Sequence, residues 1–343
     1  IFLSGVLFLG WSLGANDAAN VFGTAVATRM VRFSLAAVIA SIAVITGAVF
    51  AGAGAAGTLG RLGAITELPG AFTVTLAAAL SVFVMTRAGL PVSTSQAIVG
   101  GIIGWNIYAG NVLNYTVLSK IVLSWISSPI IAGVFGFVLY YIVRFVVNHI
   151  SLHILRRDLY TRLALIVSGA FGAYSLGANN IGNVMGVFVP ISPFPAITFV
   201  GDWGLSGVQL LFLLGALAIS VGIFTYSQRV METVGSDIFK LSPITAFIVV
   251  LSSAVVLFLF ASEGLHDWLV QNGLPAFPLV PISSSQAVVG SVVGIGMARG
   301  MQNIRYKLVA KIGMGWVATP LVAGAVCYFL LFFMENLFLL NVR

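Results

Sequence analysis

The sequence predicts an all-α polytopic membrane protein made of two inverted-topology repeats, each with a broken span and a re-entrant helical hairpin. Of 343 residues, 59% are hydrophobic and only 7% charged, against roughly 25% charged in soluble domains. A mean hydropathy of +1.09 excludes a soluble globular chain. Two motifs each occur twice, and the unit they define crosses the membrane an odd number of times. Odd units joined head to tail must lie in opposite orientations.

The first motif, SLGANDAANVFG at 12–23, recurs as SLGANNIGNVMG at 175–186, with eight of twelve positions identical. The second, PVSTSQAIVG at 91–100, recurs as PISSSQAVVG at 281–290, with seven of ten identical. Lys120, Trp125 and Pro129 meet Lys311, Trp316 and Pro320 further on. The organisation that follows is a first transmembrane repeat at 1–150, a basic linker at 151–162 and an inverted second repeat at 163–343. The second copy carries two insertions, of 12 and 15 residues.

Each unit opens with a span holding the Asn-rich motif, about 3–28 and 163–188, followed by a plain apolar span at about 33–53 and 206–227. A third segment, about 70–88 and 241–262, leads into the Ser-rich motif, and a short helix of about 14 residues leaves it. Fourteen residues at 1.5 Å rise are too few to cross a bilayer, so this pair reads as a re-entrant hairpin that adds no crossing. A span of about 33 residues closes the unit, and Pro129 and Pro320 are placed to kink or split it.

Charge tests the topology independently. With Arg144, Arg156, Arg157 and Arg162 of the linker inside, Arg29, Arg32, Arg229, Lys240, Arg299, Arg305, Lys307 and Lys311 also fall inside. That is twelve of sixteen basic residues, as the positive-inside rule requires. Both termini are then expected outside a multi-pass plasma-membrane protein. The net charge of +7 is topogenic, and no nucleic-acid partner is expected. Trp203 and Trp268 are candidate interface anchors. The single cysteine, Cys327, excludes an intramolecular disulfide and a cysteine-rich metal site.

Asp17 is the one acidic residue deep within an apolar span. A buried charge there costs a few kcal/mol and is a functional-site hypothesis by default. Its neighbours are amides and glycines, so a bound cation fits better than a salt bridge; the alternative is a protonated Asp17 bonded to a neighbouring helix. Asn16 and Asn20, with Asn179, Asn180 and Asn183, lie three or four apart beside helix-weakening glycines. That pattern predicts a broken helix whose freed carbonyls and carboxamides take hard cations such as Na⁺. Ser93, Thr94, Ser95 and Ser283, Ser284, Ser285 stand just before apolar helical runs. Hydroxyls, unpaired N–H groups and the dipole at such a terminus suit an anion without any Arg or Lys. No Walker loop, GxSxG elbow or paired-carboxylate site is found, so an enzyme is not expected.

Together the two Gly-Ala-Asn-Asp/Asn motifs and the two Pro-(Val/Ile)-Ser-(Thr/Ser)-Ser motifs resemble those of the PiT family of inorganic phosphate transporters, across essentially the whole chain. The resemblance implies secondary transport of phosphate coupled to Na⁺, or in some members to H⁺. It implies phosphate on Ser93, Thr94, Ser95, Ser283, Ser284 and Ser285, helped by Gln96, Gln286, Asn16 and Asn179. It implies Na⁺ on Asp17, Asn20, Asn180 and Asn183. Two departures stand out: Asn180 replaces an Asp found in many members, and Val44 and Val250 replace acidic residues found in some. Fewer titratable groups favour Na⁺ over H⁺. The expectation is a Na⁺-coupled phosphate symporter working by alternating access, with no cofactor, in the lipid bilayer and as a possible homodimer. The alternatives are H⁺ coupling, a sulfate transporter of the same fold, and an uncoupled anion channel.

Overall fold

The computed structural model describes residues 1–87, 92–150, 153–198, 204–233, 242–300 and 306–343. Pro91, Trp203, Lys240 and Arg305, all used in the sequence reading, lie outside the described residues. The first unit runs α1 (Ser4–Ala27), α2 (Phe33–Ala51), α3 (Ala53–Gly63), α4 (Leu68–Arg87), α5 (Thr94–Ala109) and α6 (Tyr115–His149). The second runs α7 (Ile154–Met185), β1 (Ile197–Thr198), β2 (Gly204–Leu205), α8 (Gly207–Thr233), α9 (Pro243–Leu259), α10 (Glu263–Gln271), α11 (Ser284–Ala298) and α12 (Tyr306–Asn336). Six of the described helices are long and apolar enough to cross a membrane. Local chemistry sets the ends: Asn114 caps α6 by accepting from the Val117 N–H at 3.1 Å, and Ser242 caps α9 with Pro243 following.

The two units exchange partners. α1 lies along α8, while its counterpart α7 lies along α2. Both pairs run parallel: Gly10, Gly14 and Gly23 meet Ala218, Ile219 and Met231 in turn, and Gly177 meets Val44 of α2 while Gly182 meets Ala55 just beyond it in α3. The short helices repeat the exchange, α5 on α12 and α11 on α6, with Gly100 against Pro320 and Gly290 against Pro129. Backbones approach closely wherever a glycine removes the Cβ, as in other membrane bundles. By contrast α1 and α7 cross antiparallel, since Gly10 sits near Val184, Asp17 bonds Asn180, and Phe22 covers Gly169. α4 and α5 also run antiparallel, Val74 beside Gly101 and Gly70 beside Trp105.

One expectation is corrected. The Asn-rich spans are not broken: α1 stays helical from Ser4 to Ala27 and α7 from Ile154 to Met185. Gly14 and Gly177, which weaken a helix in isolation, are held here against the carbonyls of Ile219 and Val44. Tertiary packing overrides propensity. The break in the first unit falls instead at Gly52, between α2 and α3, and in the second α9 and α10 meet at 64°. The linker is helical from 154 onward, because Leu155 to Val167 contains neither Gly nor Pro and continues into α7. As expected of a single closing span in each unit, α6 and α12 run through Pro129 and Pro320 without splitting. The chain also forms elements the periodicity did not predict: the short α3, and within the second unit's insertions the two-residue β1–β2 ladder and α10.

Candidate functional site

Two short helices begin alike. Ser93 is extended (φ −124°, ψ 116°), and its Oγ accepts from the Gln96 N–H at 3.4 Å. Ser283 is extended too (φ −86°, ψ 118°) and accepts from the Gln286 N–H at 3.4 Å. In each triplet the first and third hydroxyls also bond, Ser93 with Ser95 at 3.0 Å and Ser283 with Ser285 at 2.9 Å. Capping uses one hydroxyl per helix and leaves the first-turn N–H groups of Thr94, Ser95, Ser284 and Ser285 without an intrahelical acceptor. The tips touch where the Ser285 hydroxyl donates to the Val92 carbonyl at 3.4 Å.

Beneath them, α1 and α7 cross at Asp17. Its Oδ2 accepts from the Ser284 hydroxyl at 2.8 Å and from the Asn180 amide at 3.2 Å. Asn183 donates to the Asn180 Oδ1 at 3.3 Å, and Asn20 donates to the Ser284 Oγ at 3.3 Å. Ser284 therefore belongs to both sets of residues, on the tip of α11 and bonded to the carboxylate of α1. Asp17, Val92, Ser93, Thr94, Ser95, Asn180, Asn183, Ile282, Ser283, Ser284 and Ser285 line one cleft, which admits no water-sized sphere. Asp17 is 5% exposed, Asn180 and Asn183 1% each. Such burial leaves polar atoms expensive unless something binds them. The Thr94 Oγ1, Gln96 Oε1, Asn183 Oδ1 and Gln286 Oε1 are buried without a partner.

The cleft thus collects the Ser-rich triplets with Asp17, Asn180 and Asn183, while Asn20 joins it only through its bond to Ser284. Asn179 stands behind it: its Oδ1 accepts from the Ile282 N–H at 2.9 Å and its Nδ2 donates to the Val280 carbonyl at 3.3 Å, pinning the extended lead into α11. Asn16 is elsewhere. It lines a separate cavity of about 460 Å³ with Trp11, Ser12, Arg87, Tyr226 and Arg229. Adjacent helical residues point about 100° apart, and here Asn16 faces this cavity while Asp17 faces the cleft. Sequence reasoning missed the backbone of Val92 and Ile282, which supplies a tip-to-tip acceptor and the donor that Asn179 holds. A proline precedes each in sequence, Pro91 and Pro281, and lacking an N–H it cannot continue a helix through its own position, which was the one sequence sign of a non-helical lead there. Among the described residues no three His, Cys, Asp or Glu side chains come together as a metal cluster.

Comparison with known proteins gives this arrangement its context. The profile of the phosphate transporter family matches residues 13–327 and 269–342. A protein of Methanocaldococcus jannaschii named "Putative phosphate permease MJ0630" is 31% identical over 316 residues, covering 92% of this chain and 91% of that one. A relative of Thermococcus kodakarensis with the same description is 29% identical and covers 94% of each chain. The sulfate permease CysP of Bacillus subtilis is 28% identical over 330 residues, or 94% of this chain and 84% of its own. The solved structure titled "The sodium-dependent phosphate transporter" superposes with a TM-score of 0.73 at 24% identity, over 96% of this chain and 98% of that one, and so has the same fold. With its apolar spans and a family match across nearly its whole length, this multi-pass membrane protein belongs to the phosphate transporter family.

Proposed function

We propose that the chain imports inorganic phosphate by symport with Na⁺ through alternating access. The observation that carries this reading is the meeting of two helix N-termini over one carboxylate, joined by the Ser284 hydroxyl. Phosphate sits against the first turns of α5 and α11, where Ser93, Thr94, Ser95, Ser283, Ser284, Ser285, Gln96 and Gln286 offer hydroxyls and amides at two positive dipole ends. Na⁺ is held by Asp17 with the carboxamide oxygens of Asn20, Asn180 and Asn183. Without the cation, the Asp17 carboxylate repels an anion a few ångströms away in low dielectric. With it, each ion lowers the cost of burying the other, which is the physical content of coupling.

The antiparallel crossing of α1 and α7, and the exchanged pairing of the remaining helices, support two units in opposite orientations. The antiparallel α4–α5 pair supports a re-entrant hairpin. The closed cleft supports a gated path over an open pore, because substrate enters only when the Ser285–Val92 contact parts. In this reading both termini lie outside the plasma membrane, the basic 151–162 segment inside, and the protein assembles as a homodimer.

Radiolabelled phosphate uptake into proteoliposomes tests it. Accumulation driven by an imposed Na⁺ gradient, weak under a proton gradient and resistant to excess sulfate, is expected. Equilibration without dependence on any gradient would establish a channel and remove Asp17 as a coupling ligand. The similarity to a sulfate permease favours one second reading, sulfate transport, which strong inhibition by sulfate would establish.

A further inference from the structure

The seams that carry the two short helices each bury an unpartnered donor and an unpartnered acceptor. On α11, Gly290 lies against Pro129 of α6 and Gly294 against Gly133. One turn toward the N-terminus of each helix, this parallel register brings Trp125 level with Gln286. On α5, Gly100 lies against Pro320 of α12 and Gly104 against Gly324, so one turn back Trp316 is level with Gln96. The indole Nε1 atoms of Trp125 and Trp316 are buried and have no hydrogen-bond partner, and neither have the Oε1 atoms of Gln286 and Gln96. These glutamines are only 2% and 3% exposed. An indole N–H only donates, and an amide oxygen only accepts. The chain thus leaves one matching pair on each seam, at positions that correspond between the two units.

We propose that Trp125 and Trp316 are positioning residues for the anion site. Each indole N–H engages the side-chain oxygen of its glutamine, directly or through one buried water, and thereby fixes which way the carboxamide faces. With its oxygen held at the seam, each glutamine turns its NH₂ donors toward the first turn of the helix, where an oxyanion needs donors. A glutamine lacking the indole partner is free to flip and to present its oxygen to the anion, which repels it. The same restraint acts from both sides of the cleft. It ties the interior first turns to α6 and α12, the long outer helices of each unit. This inference rests on the reading of the cleft as a phosphate site.

The experiment separates the two. In ligand-free, ¹⁵N-tryptophan-labelled protein, the indole N–H resonance of Trp316 is expected to shift in Gln96→Leu, and that of Trp125 in Gln286→Leu. Unmoved resonances overturn the pairing whatever the substrate is. Equilibrium binding of inorganic phosphate then reads the consequence. Trp316→Phe is expected to weaken binding about tenfold in the wild-type background and to have no further effect in Gln96→Ala, since the pair acts as one unit. Benzothienylalanine at 316, which keeps the indole shape and lacks the N–H, reproduces the loss without a change of volume. Equal losses in both backgrounds, or full affinity with benzothienylalanine, overturn the positioning role. A wild-type protein that fails to bind phosphate defeats the reading of the cleft and leaves the resonance result standing.

Discussion

Asp17 and Ser284 form the narrowest link between the two halves of the site, and their bond defines what single substitutions should do. Asp17→Asn keeps the size and removes the charge, so the Ser284 hydroxyl and the Asn180 amide lose a charged acceptor worth about 1.5–3 kcal/mol each. Phosphate uptake is expected to fall at least about tenfold, and its dependence on Na⁺ to flatten; an unchanged Na⁺ titration would remove Asp17 from the cation set. Asn16 and Asn179 offer a sharper contrast, because they are equivalent in sequence and unlike in place. Asn179→Ala unties both ends of the lead into α11 and should destabilise the protein by about 1–3 kcal/mol while raising the apparent KM. Asn16→Ala, beside a different cavity, should leave the KM within about twofold and stability within about 0.5 kcal/mol. Thermal unfolding and uptake measured on both variants decide it. The motif announced which residues carry chemistry, since Asp and Asn within an apolar span are costly anywhere. It did not announce their direction, because that depends on helical phase relative to neighbours hundreds of residues away.

At the scale of elements, glycine spacing set the helix paths in a way the sequence reading inverted. Glycines in the Asn-rich motifs suggested unwinding, yet they serve close approach: a Cβ at Gly14 collides with the Ile219 carbonyl of α8, and one at Gly222 with the Trp11 carbonyl of α1. Propensity measures a helix alone, whereas α1 is surrounded by α8, α4 and α7. Gly14→Ala should therefore force α1 and α8 apart and lower the yield of folded protein by size-exclusion chromatography. Gly57, in the middle of α3, meets nothing within 4 Å of where a Cβ would stand. Gly57→Ala should raise stability by about 0.5–1 kcal/mol with transport unchanged, read as a higher unfolding midpoint. A loss of stability there would mean that α3 is held closer to its neighbours than its open face indicates. Helix starts were legible where hydroxyls precede an apolar run, as at Ser93 and Ser283. α3 and α10 were not, because at 11 and 9 residues they are too short for apolar periodicity to stand out.

For the whole molecule, the duplication was readable from two motifs because polar residues and prolines stand out within apolar spans whose other side chains are interchangeable. The exchange of partners was not readable, since nothing in a single chain says that α1 lies along α8 and α7 along α2. That exchange bears on topology. α1 and α8 run parallel, α7 and α2 run parallel, and α1 crosses α7 antiparallel; under the proposed inverted topology, corresponding ends of the two units emerge on opposite faces. The residues just after α1 and those just after α7 should then report from different sides of the membrane. Cys327 is fully buried, and Cys327→Ala provides a cysteine-free background. In it, Met30→Cys follows α1, and Ala196→Cys lies on the exposed segment after α7. A membrane-impermeant maleimide is expected to label Ala196→Cys on intact cells and Met30→Cys only in inverted vesicles, consistent with Arg29 and Arg32 on the cytoplasmic face. Labelling of both from one side would make the units parallel. The two helix N-termini would then no longer reach the cleft from opposite faces, and a gate that opens alternately to each side would lose its structural basis.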